Sequence, residues 1–240
     1  TLRMRIDANS RISLSNNDSG TQNSVFGSSA GNALASGSQG NSSFGHESML
    51  NTTTGDRNTA VGYQSLRHNI TGSENVAVGY EALRAASGNS TSSNVAIGNY
   101  TMYSLSSGGT NVAVGGASLY YNASGSYNTA IGVQSMQGAS GQSHSNNTSV
   151  GYQSLYSVTT GNLNSAFGKD AGDSVTSGEK NVFIGAESGQ NTTSQSNCTF
   201  VGYEAGYNAQ ASNTTALGYQ ALTGLTSGAR NLAIGYQSGR

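Results

Sequence analysis

The sequence predicts an all-β protein, a parallel β-solenoid or β-roll of about 13 coils of ~17 residues each. Three observations predict it. First, the stretch Asn58-Thr59-Ala60-Val61-Gly62-Tyr63-Gln64-Ser65-Leu66 recurs, with variations, along the chain. Its central glycine stands at positions 27, 45, 62, 79, 98, 115, 132, 151, 168, 185, 202, 218 and 235, in steps of 16 to 19 residues. A sustained period of this size marks a stacked repeat architecture, in which no repeat buries a core alone. Second, a bulky apolar residue precedes every one of these glycines, from Phe26 and Phe44 to Leu217 and Ile234. Third, the chain of 240 residues holds 34 glycines, no proline and only 9% charged residues. Ordinary domains are about 25% charged. Such a composition also suits a disordered linker, but disorder has no need of an apolar residue before successive glycines.

Within one repeat, the three residues before the glycine alternate. The residue just before the glycine is bulky and apolar, the one two places earlier is β-branched or small, as in Val78 and Val76, and a small residue, usually alanine, lies between them. The outer pair shares one strand face and the middle residue the other. Both faces are lean or apolar, which suggests a strand packed on two sides. Four positions before the glycine stands asparagine, among them Asn58, Asn75, Asn94 and Asn111. Its side chain bonds nearby backbone readily, and in a stack equivalent asparagines form a ladder. The glycines, such as Gly62, Gly79, Gly98 and Gly115, are expected at positive φ or at a close backbone approach.

After the glycine a short second strand is expected. Its third residue is always small, and its fourth is leucine or methionine in some copies and glycine in others. The row Met49, Leu66, Leu83, Met102, Leu119, Met136, Leu155 and Leu222 reads in two ways. It fills the coil's own interior, or it buries against neighbouring chains about a common axis. A polar loop then absorbs the variation in repeat length, since insertions in such repeats map to loops. Stacked at about 4.8 Å per step, twelve steps give a rod of roughly 60 Å.

Residues 1–20 lie outside the period and form a candidate capping unit, and residues 21–240 form the solenoid domain. Met4-Arg5-Ile6 and Ile12-Ser13-Leu14 alternate apolar and polar around the turn residues Asp7 to Ser10, which predicts a pair of short strands. A cap protects the unpaired edge of a stack. The longest loops are expected at 85–93 and 138–146. Over 161–210 the leucine or methionine gives way to Gly172, Gly189 and Gly206. There the cross-section should narrow or the packing partner change. The start at Thr1 and the uncapped end at Arg240 suggest a piece of a longer protein.

Several function classes are disfavoured. The net charge is −1 and no basic stripe exists, so nucleic acid is not an expected partner. No apolar run approaches 18 residues, so membrane insertion is not expected. The single cysteine, Cys198, rules out an intrachain disulfide framework. No nucleophile elbow, phosphate loop or metal-ligand spacing stands out, so neither an enzyme nor a cofactor is expected.

Asn75-Val76-Ala77-Val78-Gly79, Asn94-Val95-Ala96-Ile97-Gly98 and Asn111-Val112-Ala113-Val114-Gly115 resemble the head repeats of trimeric autotransporter adhesins. The longer unit from Asn58 to Leu66, with its loop, more closely resembles repeats of phage tail-fibre proteins. The start, Arg3-Met4-Arg5-Ile6-Asp7 with Arg11-Ile12-Ser13-Leu14, also resembles segments of such fibres. The resemblance implies a left-handed β-roll with three chains about one axis. It implies a shaft or head giving rigid extension and attachment to a host surface, outside the cell or on a virion. The partners implied are the chain itself, as a homotrimer or filament, and a cell-surface glycan or protein receptor. This chain departs from the pattern in its longer repeat and at Cys198 and Thr214, which replace the asparagine.

Two other readings stand beside this one. A bacterial surface adhesin or extracellular filament, glycosylated at N-x-S/T sequons such as Asn51, Asn69, Asn89 and Asn122, fits the same repeats. A polysaccharide-degrading spike would use Asp170, Glu187 and Glu204, which share one slot in three successive coils. Stacked carboxylates about 5 Å apart suit a cation or a glycosidase pair, but glutamines in this slot elsewhere point to a solvent-facing row. Tyr63, Tyr80, Tyr152 and Tyr203 form a further row, which covers the strand face or stacks on sugars. His46, His68 and His144 fall in unrelated slots and read as surface or loop residues.

Overall fold

The computed structural model describes residues 5–6, 12–13, 22–35, 37–85 and 90–240. Two strands precede the repeats, β1 (Arg5–Ile6) and β2 (Ile12–Ser13), paired antiparallel with Arg5 opposite Ser13 and Ile6 opposite Ile12. The rest of the expected hairpin, including Met4, Leu14 and the turn between, lies outside the described residues, as does part of the loop at 85–93.

Each repeat supplies one strand of three residues. They are β3 (Ser24–Phe26), β4 (Ser42–Phe44), β5 (Thr59–Val61), β6 (Val76–Val78), β7 (Val95–Ile97), β8 (Val112–Val114) and β9 (Thr129–Ile131). The series continues with β10 (Thr148–Val150), β11 (Ser165–Phe167), β12 (Val182–Ile184), β13 (Thr199–Val201), β14 (Thr215–Leu217) and β15 (Leu232–Ile234). All 13 form one parallel sheet in strict chain order, each residue opposite its equivalent one coil on. No helix occurs among the described residues. The protein is an all-β parallel β-solenoid. Its residues are β-branched where the pleat wants them, and its ladders run without a register slip because every coil repeats the same alternation.

The strand is packed on one side, not two. The middle residues, such as Ala60, Ala77, Ala96, Ala113 and Ala130, are fully buried in the coil. The bulky residues that precede the glycines point outward. The reason is volume: the coil is narrow, and its interior must also hold the small third residue and the fourth residue after the glycine. The Leu/Met row occupies that interior from Met49 to Leu155 and again at Leu222, so of its two readings the coil's own core is the one observed.

The segment after the glycine is not a second strand. It is a run of turns whose second and fourth residues are both left-handed, as at Gln64 (φ 51°) and Leu66 (φ 52°). It still bonds to both neighbouring coils, Gln64 N–H donating to His46 O at 2.9 Å and Leu66 N–H to Ala82 O at 3.0 Å. A left-handed leucine is unfavourable by about 1–2 kcal/mol, against about 1.5–3 kcal/mol gained by burying its side chain. The near balance explains why this slot takes either residue type. Where another side chain fills the core, glycine removes the strain.

That exchange occurs at 161–210. In β12 and β13 the middle residue is Phe183 or Phe200 in place of the alanine, serine or valine of the other repeat strands, and both rings are fully buried. A Cβ on Gly189 would lie 2.4 Å from the Phe183 ring, and one on Gly206 would lie 2.4 Å from Phe200. The two rings, with centroids 5.8 Å apart, refill the space left by the missing Leu/Met row. The expected narrowing is thus met by rings supplied from the strand.

The central glycine has a separate requirement. At Gly115, φ is 130° and an added Cβ would lie 2.5 Å from Gly132 O. Neighbouring coils approach too closely there for any side chain.

Candidate functional site

The solenoid carries its sequence motifs as rows along the rod. The most ordered row is the asparagine seam, which is buried. Asn58 Oδ1 accepts from Asn75 N–H and Nδ2, both at 3.0 Å, while Asn58 Nδ2 donates to Gly72 O at 2.9 Å. Asn75, Asn94 and Asn111 repeat the pattern, Asn111 accepting two bonds at 3.0 Å from Asn128. The seam runs from Asn23 to Asn181 and then changes. Cys198 N–H still bonds to Asn181 Oδ1 at 2.9 Å, and its thiol turns to Ala211 O at 3.4 Å. Burial pushes that thiol's pKa up. The displaced Asn197 and Asn213 bond to each other on the exposed side at 3.3 Å.

A second row is apolar and faces outward. The third residues of β3 to β15 are exposed or half-buried, among them Val61, Ile97, Ile131, Ile184 and Ile234. The first residues of the same strands, serine, threonine, valine or leucine, line the same face. No charged residue occurs in either column. Singly exposed apolar residues are ordinary, but a continuous stripe of them marks an interface.

The tyrosine row runs beside this stripe. His46, Tyr63 and Tyr80 stack with centroids 5.3 and 5.0 Å apart, and Tyr203, Tyr219 and Tyr236 stack at 5.5 and 5.2 Å. Within each run the faces that could meet a sugar ring meet the next ring instead. Tyr152 has Val133 and Lys169 in its slot on the neighbouring coils. Hydrogen bonding to the adjacent carboxylate pushes the Tyr80 and Tyr203 hydroxyls up to about 12, with Glu81 and Glu204 as the respective partners.

The slot of Asp170, Glu187 and Glu204 forms part of a polar ladder. Lys169 pairs with Asp170 and stands 4.0 Å from Glu187, and Gln220 Nε2 donates to Glu204 Oε2 at 2.6 Å. The same slot carries Gln64 donating to Glu47 at 2.7 Å and Gln237 to Gln220 at 2.8 Å. Cationic and amide partners thus meet one oxygen of each carboxylate, while Asp170 Oδ1 is buried without a hydrogen-bond partner. Among the described residues no group of three or more His, Cys, Asp or Glu is placed to hold a metal.

His144 departs from the surface reading. It is fully buried in the segment between β9 and β10, where Nε2 has no hydrogen-bond partner. Burial pushes its pKa down to about 4. His68 is only half-buried, and its Nδ1 lies 2.8 Å from Asn51 Nδ2. Of the sequons, Asn69 and Asn122 are buried and their side chains anchor the next coil, accepting from Thr91 and His144 N–H at 3.0 and 3.3 Å. Neither is open to glycosylation. Asn89 lies outside the described residues.

Comparison with protein-family profiles, with curated proteins and with solved structures returned no match. Sequence reasoning missed the outward ridge and the buried imidazole. Alternation showed that the strand has two faces but not which one the coil encloses. His144 lies in one of the two 19-residue steps, and only that spacing hinted that its coil corner differs.

Proposed function

We propose that this chain is a structural and adhesive segment, shaft or head, of a phage tail fibre or similar extracellular appendage. In this reading it is a left-handed β-roll that assembles as a homotrimer and supplies rigid length and attachment to a host surface. One observation carries the proposal: an uncharged, apolar ridge runs the length of a rod whose own core is already full. Twelve steps of about 4.8 Å and a three-residue strand make a face of about 58 by 10 Å. That is on the scale of the ~800 Å² each partner contributes to a stable interface. A self-association face of this kind suits a fibre, since length comes from stacking and stiffness from bundling.

Light scattering tests the assembly. The expected mass is three times the 24.4 kDa of one chain. The double substitution Ile97→Lys and Ile131→Lys should give monomers with unchanged β-structure, because both side chains already face outward. A monomeric unmodified chain at every concentration would overturn the reading. Binding of the labelled rod to intact bacterial cells tests attachment.

A further inference from the structure

The outward face carries a volume pattern that a solvent-exposed surface does not need. In β3, β4 and β11 the third residue is phenylalanine, and in those same strands the first residue is serine. Phenylalanine occupies the third position in no other repeat strand, and serine the first position in no other. Each of these layers therefore presents one tall and one short side chain. The two stand on the same side of the strand, roughly 7 Å apart.

A phenylalanine that folded over its own serine would explain the pairing within one chain. The exposures argue otherwise: Phe26 is 61% exposed, Phe44 42% and Phe167 41%. The rings stand out, and the serines leave recesses beside them.

We propose that the copies of the assembly run parallel and in register, each coil level with its equivalent. Phe26, Phe44 and Phe167 of one copy fill the recesses at Ser24, Ser42 and Ser165 of a neighbour. This rests on the self-association proposed above and specifies its geometry. A rotation about an axis along the rod places the third column of one copy against the first column of the next, and repeats that contact around the ring. Knob then meets hole at all three levels. A copy reversed end for end would bring third column against third, setting Phe26, Phe44 and Phe167 opposite Ile234, Leu217 and Ile97. A slip of one coil would set Phe167 against Thr148 or Val182. Either leaves a ring facing a side chain larger than serine and a serine recess without its ring, and such mismatches are destabilising in a packed interface. Register is otherwise weakly defined along so uniform a face, so three size-matched layers serve as its markers.

The test is disulfide trapping between co-expressed full-length chains, one carrying a size tag so that mixed dimers are told from homodimers. Ser165→Cys with Phe167→Cys is the level pair. Thr129→Cys with Phe167→Cys is the offset pair, two coils apart. After mild oxidation the level pair should give mixed covalent dimers in several-fold excess over the offset pair. Excess in the offset pair overturns the register. So does the absence of mixed dimers from the level pair while light scattering still reports an oligomer. A monomer by scattering overturns the assembly itself, and the two failures are thereby distinguished.

Discussion

The exchange between the strand and the post-glycine slot offers a direct test of how this core is built. Phe200 fills the coil where Gly206 stands, and the three heavy atoms nearest to an added Gly206 Cβ all belong to that ring, at 2.4 to 2.6 Å. Phe200→Ala should lose about 3–5 kcal/mol, as buried aromatic truncations do. Gly206→Leu should lose about 3 kcal/mol, from overpacking and from a side chain at φ 63°, in the left-handed region. The double variant recreates the alanine and leucine of other coils, such as Ala113 with Leu119, whose leucine sits at φ 52°. It should be about as stable as either single variant or more so, although the wild-type losses add to about 7 kcal/mol. The coupling in a double-mutant cycle, read from urea unfolding, should then be about 3 kcal/mol or more in the stabilising direction, at or above the usual range for touching residues. Losses that add within about 0.5 kcal/mol would mean that the two positions do not share one cavity, and would refute this account.

Other outcomes follow from the same geometry. Burial lowers the His144 pKa from 6.5 to about 4, so the folded state favours neutral imidazole. The associated stability is whole above pH 6.5 and should fall by about 3 kcal/mol as the pH drops towards 4; His144→Leu should flatten that part of a stability–pH curve. Asn111→Ala orphans the two donors of Asn128 and the carbonyl of Gly125, and should cost about 3 kcal/mol in thermal or chemical melts. Cys198→Asn should restore the interrupted seam and raise stability by roughly 1 kcal/mol; a lower melting temperature would show that this coil cannot accept the amide. Gly115→Ala should be strongly destabilising, because its Cβ would lie 2.5 Å from Gly132 O, whereas alanine at Gly224, where nothing lies within 4 Å and φ is not left-handed, should be mild.

Much of the molecule was legible in the residues. The period, the parallel stacking, the strand before each glycine and the asparagine ladder all follow from Asn58, Gly62 and their equivalents. The turn that replaces the expected second strand was not legible. Leucine and methionine at Leu66 or Met102 do not advertise a left-handed backbone, since they are there for their volume. Glycine in the same slot at Gly172, Gly189 and Gly206 was the sign, and it becomes readable once Phe183 and Phe200 are seen to fill the core. The tyrosine and carboxylate rows share common slots in the repeat. Their neighbours decided what each row is free to do, ring meeting ring at Tyr63 and Tyr80, and amide or ammonium meeting carboxylate at Glu204 and Asp170.

By itself, the order of amino acids determined that these segments stack and in which register, because identical alternation in every copy leaves one alignment that buries the same positions each time. Only the tertiary structure decided which side of the strand is inside. Alternation is symmetric between the two faces, and the choice falls to the volume that a narrow coil can enclose: alanine beside leucine fits, isoleucine beside leucine does not. The larger residues were therefore turned outward, and the rod acquired its apolar ridge as a consequence of filling its own core.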